Sequence, residues 1–304
     1  MKKRYFSSAS IILLILFAPA LYLSCKRTPG PNSFSFAFIT DIHLHNQRNA
    51  VEGFLKAIET INLLNPDFVI TGGDLVMDAP GQRYGKADSL FSLYLETAAN
   101  LKMPVYNTLG NHDIYGTYSM SGVPKDHPMY GEKKFEARIG RSFYSFNHKG
   151  WKFMVLNSPE DNLKDRYYGL IDSVQIGWIT EELKNTNRGT PIAIITHMPF
   201  ITVFNQKYRG STFPNDSSHV VSNALDVLAL FRDHNLKLVL QGHLHIMEEV
   251  YIDGIKFITG GSVSGSWWRG PGRGHEEGFM LLKINGEKIE SEYIDYGWEA
   301  EHQP

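Results

Sequence analysis

The cluster Gly110-Asn111-His112-Asp113 follows an apolar run, Val105 to Thr108, and it is one of five short polar clusters that decide the fold of this chain. Short apolar runs, often β-branched and bounded by Gly, Pro or Asn, predict buried strands. Each cluster therefore begins where a predicted strand ends. The other four clusters, each with the run before it, are Asp41-Ile42-His43 after Phe34 to Thr40, Gly72-Gly73-Asp74 after Asp67 to Thr71, His197 after Ile192 to Thr196, and Gly242-His243-Leu244-His245 after Leu236 to Gln241.

These strand ends supply carboxylate, amide and imidazole donors but no thiolate. In an open α/β sheet, ligands bind in the crevice beyond the carboxyl ends of the strands, so donors from five strands can converge there. The donor types suit divalent ions such as Mn, Fe and Zn, and they are numerous enough for two ions. The sequence therefore predicts a site for two metal ions at the strand ends.

The five clusters, in this order, resemble the pattern of the calcineurin-like metallophosphoesterase family: D-x-H, G-D, G-N-H-D/E, a lone H, and G-H-x-H. They extend from Asp41 to His245, about two thirds of the chain. The resemblance implies hydrolysis of phosphoesters by a hydroxide that bridges two divalent ions, Mn, Fe or Zn. It also implies that one ion is held by Asp41, His43, Asp74 and His245, and the other by Asp74, Asn111, His197 and His243.

His112 lies between a ligand position and a carboxylate in the sequence, Asn111 and Asp113. The resemblance implies that His112 is the general acid that protonates the leaving alcohol, with Asp113 fixing its tautomer and raising its basicity. The alternative is a histidine that supports the metal ligands or binds substrate. His45, two residues past His43, is expected either to touch substrate or to be an exposed loop histidine.

Departures from two sister families narrow the assignment. Calcineurin-type protein phosphatases carry an arginine after the second cluster, whereas Asp74 is followed here by Leu75-Val76-Met77-Asp78-Ala79-Pro80. Purple acid phosphatases carry a tyrosine at the position of Met77. The chain thus looks closer to the bacterial phosphodiesterase-like branch, with a small organic phosphomonoester or phosphodiester as substrate. A catalytically silent protein that uses this fold to bind a ligand or partner is the alternative function.

The loop from Gly265 to His275 follows the predicted strand Phe257 to Thr259. It combines two tryptophans, two arginines and four glycines. Arginine can bind a phosphate with two hydrogen bonds, and tryptophan can cover a base, sugar or acyl chain. The loop therefore predicts substrate-binding roles for four residues, with packing at a lid edge as the alternative for the tryptophans. These residues are Trp267, Trp268, Arg269 and Arg273.

The N-terminus predicts export. Basic residues at positions 2–4 precede an apolar stretch from about Ile11 to Leu23, which has the length of a signal-peptide core. The only cysteine, Cys25, follows Tyr22-Leu23-Ser24, which resembles a bacterial lipobox. The expectation is an exported lipoprotein, anchored to a membrane through Cys25 and facing the periplasm or the cell surface. A plain cleaved signal or an uncleaved anchor is the alternative.

The remaining sequence predicts the domain organisation. Residues 1–25 are the expected signal peptide, 26–33 a polar, proline-rich tether, and 34–304 one metallophosphoesterase domain. With 304 residues, 42% hydrophobic and 20% charged, the chain has the composition of a globular protein. Its net charge of -2 provides no basic field for a nucleic acid polymer, and no protein partner is indicated.

Strand and helix alternate through most of the chain. Apolar residues recur at helical spacing from Val51 to Ile61, and further helices are expected over Ala87 to Leu101, Gln175 to Leu183 and Ala224 to His234. Other strand-like runs lack intervening helices, and Asn285-Gly286 predicts a hairpin turn. We therefore expect an α/β fold: a four-layer α/β/β/α sandwich with two mixed β-sheets face to face, as the family resemblance also implies.

Overall fold

The computed structural model describes residues 32–161 and 165–301. It contains thirteen strands and six α-helices within those ranges. The strands are β1 (Ser33–Ile39), β2 (Phe68–Thr71), β3 (Val105–Tyr106), β4 (Tyr144–His148), β5 (Trp151–Val155), β6 (Pro159–Asp161), β7 (Tyr167–Gly169), β8 (Pro191–Ile195), β9 (Asn235–Gln241), β10 (Met247–Ile252), β11 (Ile255–Gly260), β12 (Gly278–Asn285) and β13 (Lys288–Asp295). The helices are α1 (Ala50–Leu64), α2 (Tyr84–Ala98), α3 (Lys133–Arg138), α4 (Ser173–Lys184), α5 (Phe204–Arg209) and α6 (Ala224–Leu230).

Two mixed sheets contain most of the strands. The first has the order β13-β12-β1-β2-β3, in which β1, β2 and β3 are parallel neighbours. The second has the order β10-β11-β9-β8-β5-β4, in which β8 and β9 are parallel neighbours. A short pair, β6 and β7, forms a separate two-stranded sheet. The predicted hairpin at Asn285-Gly286 connects β12 to β13.

The helices and sheets form four layers, with an apolar cluster between each layer and the next. Between the sheets lie side chains from one face of each, including Phe36, Phe68 and Phe153. The opposite faces pack outward because side chains alternate along a strand. Ala37 and Ile39 of β1 face α1 and α2, while residues of β8 face α4 and α6. The predicted α/β/β/α sandwich with two mixed sheets is confirmed.

Several boundaries differ from the prediction. The strand β3 is two residues long rather than four, and α2 begins at Tyr84 and ends at Ala98. The sequence did not predict β10, whose residues Met-Glu-Glu-Val-Tyr-Ile are partly exposed because it is an edge strand. Charged residues at an edge weaken the apolar signal that identifies a strand.

The predicted signal peptide and Cys25 lie outside the described residues. Within the described ranges, none of the helices has both the length and the apolar character needed to cross a membrane.

Candidate metal centre

The predicted ligands follow the ends of five parallel strands, three in the first sheet and two in the second. Five of them lie in the left-handed region of φ, which L residues other than glycine rarely adopt. Each such residue costs on the order of 1 kcal/mol or more, and strain of this kind concentrates at functional sites. The residues and angles are Asp41 (56°), His43 (46°), Asp74 (53°), His243 (72°) and His245 (52°).

One group of ligands joins both sheets. His245 Nε2 lies 3.3 Å from Asp41 Oδ1 and 3.0 Å from His43 Nε2. His43 Nε2 is 3.9 Å from Asp41 Oδ1. All three side chains are buried, and their ligand atoms lie within 4.8 Å of one another, which is compatible with a shared cation.

A second group lies beside the first. His197 Nε2 is 3.2 Å from Asp74 Oδ2 and 3.0 Å from Asn111 Oδ1. Asp74, His197 and His243 also place their ligand atoms within 4.8 Å of one another. Each sheet again supplies part of the group.

Asp74 belongs to both groups. Its Oδ2 lies 3.5 Å from His43 Nε2 and 3.2 Å from His197 Nε2, so one carboxylate oxygen faces both sets of imidazoles. Its Oδ1 accepts a hydrogen bond of 2.7 Å from the backbone amide of His112. This arrangement places Asp74 in the position that a bridging carboxylate requires.

Hydrogen bonds behind the ligands fix the histidine rings. His197 Nδ1 donates to Gly72 O at 2.7 Å, His245 Nδ1 donates to Gly265 O at 2.6 Å, and His243 Nε2 donates to Ser218 O at 2.8 Å. Because carbonyls only accept, each ring carries a hydrogen on the donating nitrogen, and the opposite nitrogen is the one that can bind a metal once it is deprotonated.

One of these opposite nitrogens has no hydrogen-bond partner. His243 Nδ1 is buried, and no donor or acceptor within residues 32–161 and 165–301 is bonded to it. A buried polar atom without a partner is costly, so such an atom in a native site calls for a ligand. The orphaned nitrogen and the mixed oxygen and nitrogen donors together fit divalent cations.

The electrostatics of the cluster favour ionised carboxylates. Burial alone would raise the pKa of Asp74, but His197, His112 and His43 hold it well below the usual value. Burial lowers the pKa of His197, but the Asp74 carboxylate outweighs burial and raises it to about 9. For His243, burial and the charge of His197 lower the pKa to about 4, which favours the neutral imidazole that metals bind.

The predicted partnership of His112 with Asp113 is wrong. His112 Nδ1 donates to the Met77 carbonyl at 2.6 Å, and the carboxylate nearest to that nitrogen is Asp78, with its Oδ1 at 3.9 Å. Asp113 instead accepts hydrogen bonds from the backbone amides of Gly110, Leu75 and Val76.

Asp113 is thus a positioning residue. It links the loop after β2 to the turn that carries Asn111 and His112. Burial and the charge of Asp74 raise its pKa to about 7. Gly110 is required in the same turn, because a Cβ there would lie 2.1 Å from the Asp74 backbone nitrogen.

The two tryptophans of the 265–275 loop have different positions. Trp267 lies against the metal centre, with its ring 4.8 Å from that of His245. Trp268 is 1% exposed, and its Nε1 donates to the carbonyls of Ile42 and His43. The prediction that Trp268 binds substrate is therefore wrong: its indole is part of the core and holds the loop after β1.

The two arginines also differ. Arg273 donates to Leu244 O at 3.2 Å and lies over the Phe204 ring at 4.9 Å, so its guanidinium is engaged with the protein. Arg269 is exposed. Burial is the main cause of the lowered pKa values of His45 and Arg48, and the positive charge of Arg269 lowers both further. The structure thus brings Arg269, but not Arg273, to the side of the site where His45 lies.

His45 and Asp78 are site residues whose positions the sequence did not reveal. His45 is 7% exposed, so the expectation of an exposed loop histidine is wrong. Its spacing of two from His43 offered a signal, since residues two apart share a face of an extended segment. Asp78 had no such signal, because its proximity to His112 depends on the pairing of two loops.

Comparisons with known proteins agree with this geometry. A family model for calcineurin-like phosphoesterases matches residues 34–247. The chain is 24% identical over 246 residues to a probable cyclic nucleotide phosphodiesterase of Xenorhabdus bovienii, covering 76% of this chain and 87% of the relative. It is 23% identical over 223 residues to a protein of the same description from Moraxella catarrhalis, covering 70% and 72%.

A solved structure is also similar. A dimetal phosphatase from Danio rerio superposes with a TM-score of 0.58 at 16% identity, covering 87% of this chain and 99% of that one. The likeness shows a shared fold. The chain belongs to the calcineurin-like phosphoesterase family, and it is a phosphoesterase.

The shared position of Asp74 gives a testable prediction. Asp74→Ala removes the oxygen that faces both ligand groups, so we expect the purified variant to lose both ions, whereas wild-type protein should bind about two per chain. Metal analysis by mass spectrometry, with circular dichroism to verify folding, measures the effect. Asp126→Ala, which removes an exposed carboxylate, is the control. Full metal content in a folded Asp74→Ala variant would contradict the shared site.

Proposed function

We propose that this phosphoesterase hydrolyses phosphodiesters of small organic molecules, with two divalent ions and with His112 as general acid. The observation that carries the proposal is Asp74 Oδ2, which lies between the imidazoles of two ligand groups. The two relatives described as probable cyclic nucleotide phosphodiesterases support a diester over a monoester.

The chain's residues would hold the ions in two groups that share Asp74. Asp41, His43 and His245 form one group, and Asn111, His197 and His243 form the other. Bound there, Mn, Fe or Zn would polarise the phosphoryl oxygens and lower the pKa of a shared water. Burial of these ligands excludes bulk water from their nitrogen atoms, which strengthens their attraction for cations.

His112 is placed to handle the proton of the leaving group. Its Nδ1–H donates to Met77 O at 2.6 Å, so Nε2 is the nitrogen that gains and releases a proton. The Asp78 carboxylate lies 3.9 Å from Nδ1. The side chain is 23% exposed, unlike the buried ligands, so a substrate can reach it.

The alternative function is a catalytically silent lipoprotein that uses the fold for binding. All the ligand positions of the family pattern are present in this sequence, from Asp41 to His245. Binding alone does not call for seven polar ligands, six of them buried and five in a left-handed backbone conformation, at one place in the fold. This favours catalysis.

The role of His112 predicts sensitivity to the leaving group. An alkoxide needs a proton to depart, whereas p-nitrophenolate leaves readily as the anion. With Mn²⁺ supplied, wild-type protein should hydrolyse both alkyl and p-nitrophenyl diesters. His112→Asn should lower kcat for the alkyl diester about a hundredfold to ten-thousandfold, and much less for the p-nitrophenyl diester.

The control is metal content, which His112→Asn should leave unchanged. An equal loss on both diesters would contradict the general-acid role and would leave His112 as a residue that binds the phosphate or orders the ligands. No hydrolysis of either diester by metal-loaded wild-type protein would favour the silent lipoprotein.

We further propose that residues 1–25 are a lipoprotein signal, that Cys25 is acylated, and that residues 26–33 tether the 34–304 domain to a membrane on the periplasmic or outer side. The support is the basic N-terminus, the apolar stretch and the sequence Tyr22-Leu23-Ser24 before the cysteine.

Acylation predicts a difference between two variants in a detergent phase-partition assay. Wild-type protein and Thr28→Ala, a change in the tether, should enter the detergent phase, and Cys25→Ala should remain in the aqueous phase. Two acyl chains bind membranes firmly, whereas one chain is marginal. Identical partitioning of Cys25→Ala and wild-type protein would favour an uncleaved helix or a peripheral protein instead.

A further inference from the structure

We propose that a small cavity beside the metal centre, lined by His45, Arg48 and Lys86, binds a second anionic group of the substrate. The group is a phosphate or carboxylate that the substrate carries in addition to the diester that is cleaved. The inference rests on the proposed function, because it specifies the class of diester that the enzyme takes.

The cavity is formed where two loops pair. Leu44 donates to Leu75 O at 3.0 Å and accepts from Met77 N at 3.2 Å, so the segment after His43 runs alongside the segment after Asp74. The cavity between them has a volume of about 180 Å³. Its walls include His45, Arg48, Lys86, Met77 and Asp78. This volume suits a single phosphate or carboxylate group with a few waters, not a whole nucleoside.

His45 presents an unused hydrogen-bond donor in this wall. Its Nδ1 accepts a hydrogen bond of 3.0 Å from the Gln47 backbone amide, so in the neutral ring the hydrogen is on Nε2. Nε2 is buried, and it has no partner within the part of the chain that the structure describes. His45 is only 7% exposed. A buried donor without an acceptor points to an anionic or carbonyl oxygen as ligand.

Two cations, Arg48 and Lys86, line the same cavity as this donor. Arg48 donates to Trp267 O at 3.1 Å. Among the described residues, neither cation forms an ion pair within 4.0 Å.

The cavity therefore has an excess of positive charge. Its one carboxylate, Asp78, lies on the wall toward His112 and accepts a hydrogen bond from Gln82 at 3.3 Å. The cavity also begins at Asn46, Gln47 and Arg48, directly before the first turn of α1, where the helix dipole is positive. Two cations without an ion pair and an orphaned donor, against one carboxylate, favour an anion.

The position of the cavity relates it to the substrate. Met77 and Asp78 line the cavity, and the same two residues contact the Nδ1 edge of the His112 ring through the Met77 carbonyl and the Asp78 carboxylate. The cavity therefore adjoins the residue that is proposed to act on the substrate, on the side of the ring away from Nε2. The substrate class is a phosphodiester that carries a second phosphate or carboxylate group, which reaches past His112 into the cavity.

Matched dinucleotides test the inference. The substrates are a thymidine dinucleotide without a terminal phosphate and the two dinucleotides that carry a phosphate at one end or the other. Wild-type, Mn²⁺-loaded protein should prefer one of the phosphorylated forms in kcat/KM. Lys86→Ala should reduce that preference about tenfold or more, as expected for loss of a charge-assisted contact, and Lys86→Glu should reduce it further.

Four further variants complete the test. Lys86→Arg keeps the charge and should keep the preference. Arg83→Ala removes a cation one turn earlier, at the N-terminus of α2, outside the cavity wall, and should leave kcat/KM for all three substrates unchanged. His45→Leu should lose the preference, and His45→Gln, which retains an N–H donor, should partly restore it.

The outcomes separate this inference from the proposed function. Hydrolysis of all three dinucleotides with the same kcat/KM, or a preference that survives Lys86→Glu, would overturn the anion subsite while diester hydrolysis stands. Failure of the metal-loaded wild-type protein to cleave any dinucleotide or p-nitrophenyl diester would overturn the proposed function, and the subsite with it.

Discussion

The face-to-face packing of the two sheets is the interaction on which the metal centre depends. Aromatic rings dominate the interface: Phe36 stacks on Phe68 with centroids 5.0 Å apart, and Phe153 of the second sheet meets Phe68 edge-on at 5.5 Å. Such close packing leaves little room for the sheets to shift. Because β1, β2 and β3 end beside β8 and β9, this packing determines which side chains can share an ion. The same packing therefore stabilises the core and sets the geometry of the site.

The backbone at the strand ends adds a second constraint. Left-handed residues turn the chain abruptly after each strand, and the small residue Gly242 lets two loops approach, since a Cβ there would lie 2.1 Å from Thr40 Oγ1. Trp268 then holds the carbonyls of Ile42 and His43 from behind. These contacts fix the loops that carry the ligands.

Much of this arrangement can be read from the sequence, and the reason is physical. A buried strand needs a continuous apolar run, so the polar residue that ends it stands out, as at Asp41 and His197. Both faces of β1 are apolar, with Phe36 and Phe38 on one and Ala37 and Ile39 on the other. The sequence therefore does not show which face packs on the second sheet and which packs on the helices.

Other features depend on contacts between segments distant in the chain. Asp113 follows His112 directly, yet its carboxylate binds amides of Leu75 and Val76, because the short turn directs the two side chains apart. Trp268 is next to Trp267, yet one is in the core and the other at the metal centre. His45 became a site residue because Leu44 pairs with the loop after β2. Adjacent positions do not reveal such pairings, so residue roles inferred from neighbours in sequence were the ones that failed.

The central claim is that two sheets together hold two ions that share Asp74. Anomalous diffraction from crystals grown with Mn²⁺ tests it most directly. The account predicts two manganese peaks, one among Asp41, His43 and His245 and the other among Asn111, His197 and His243, with Asp74 in contact with both. A single peak at full occupancy, or two peaks of which only one contacts Asp74, would contradict it.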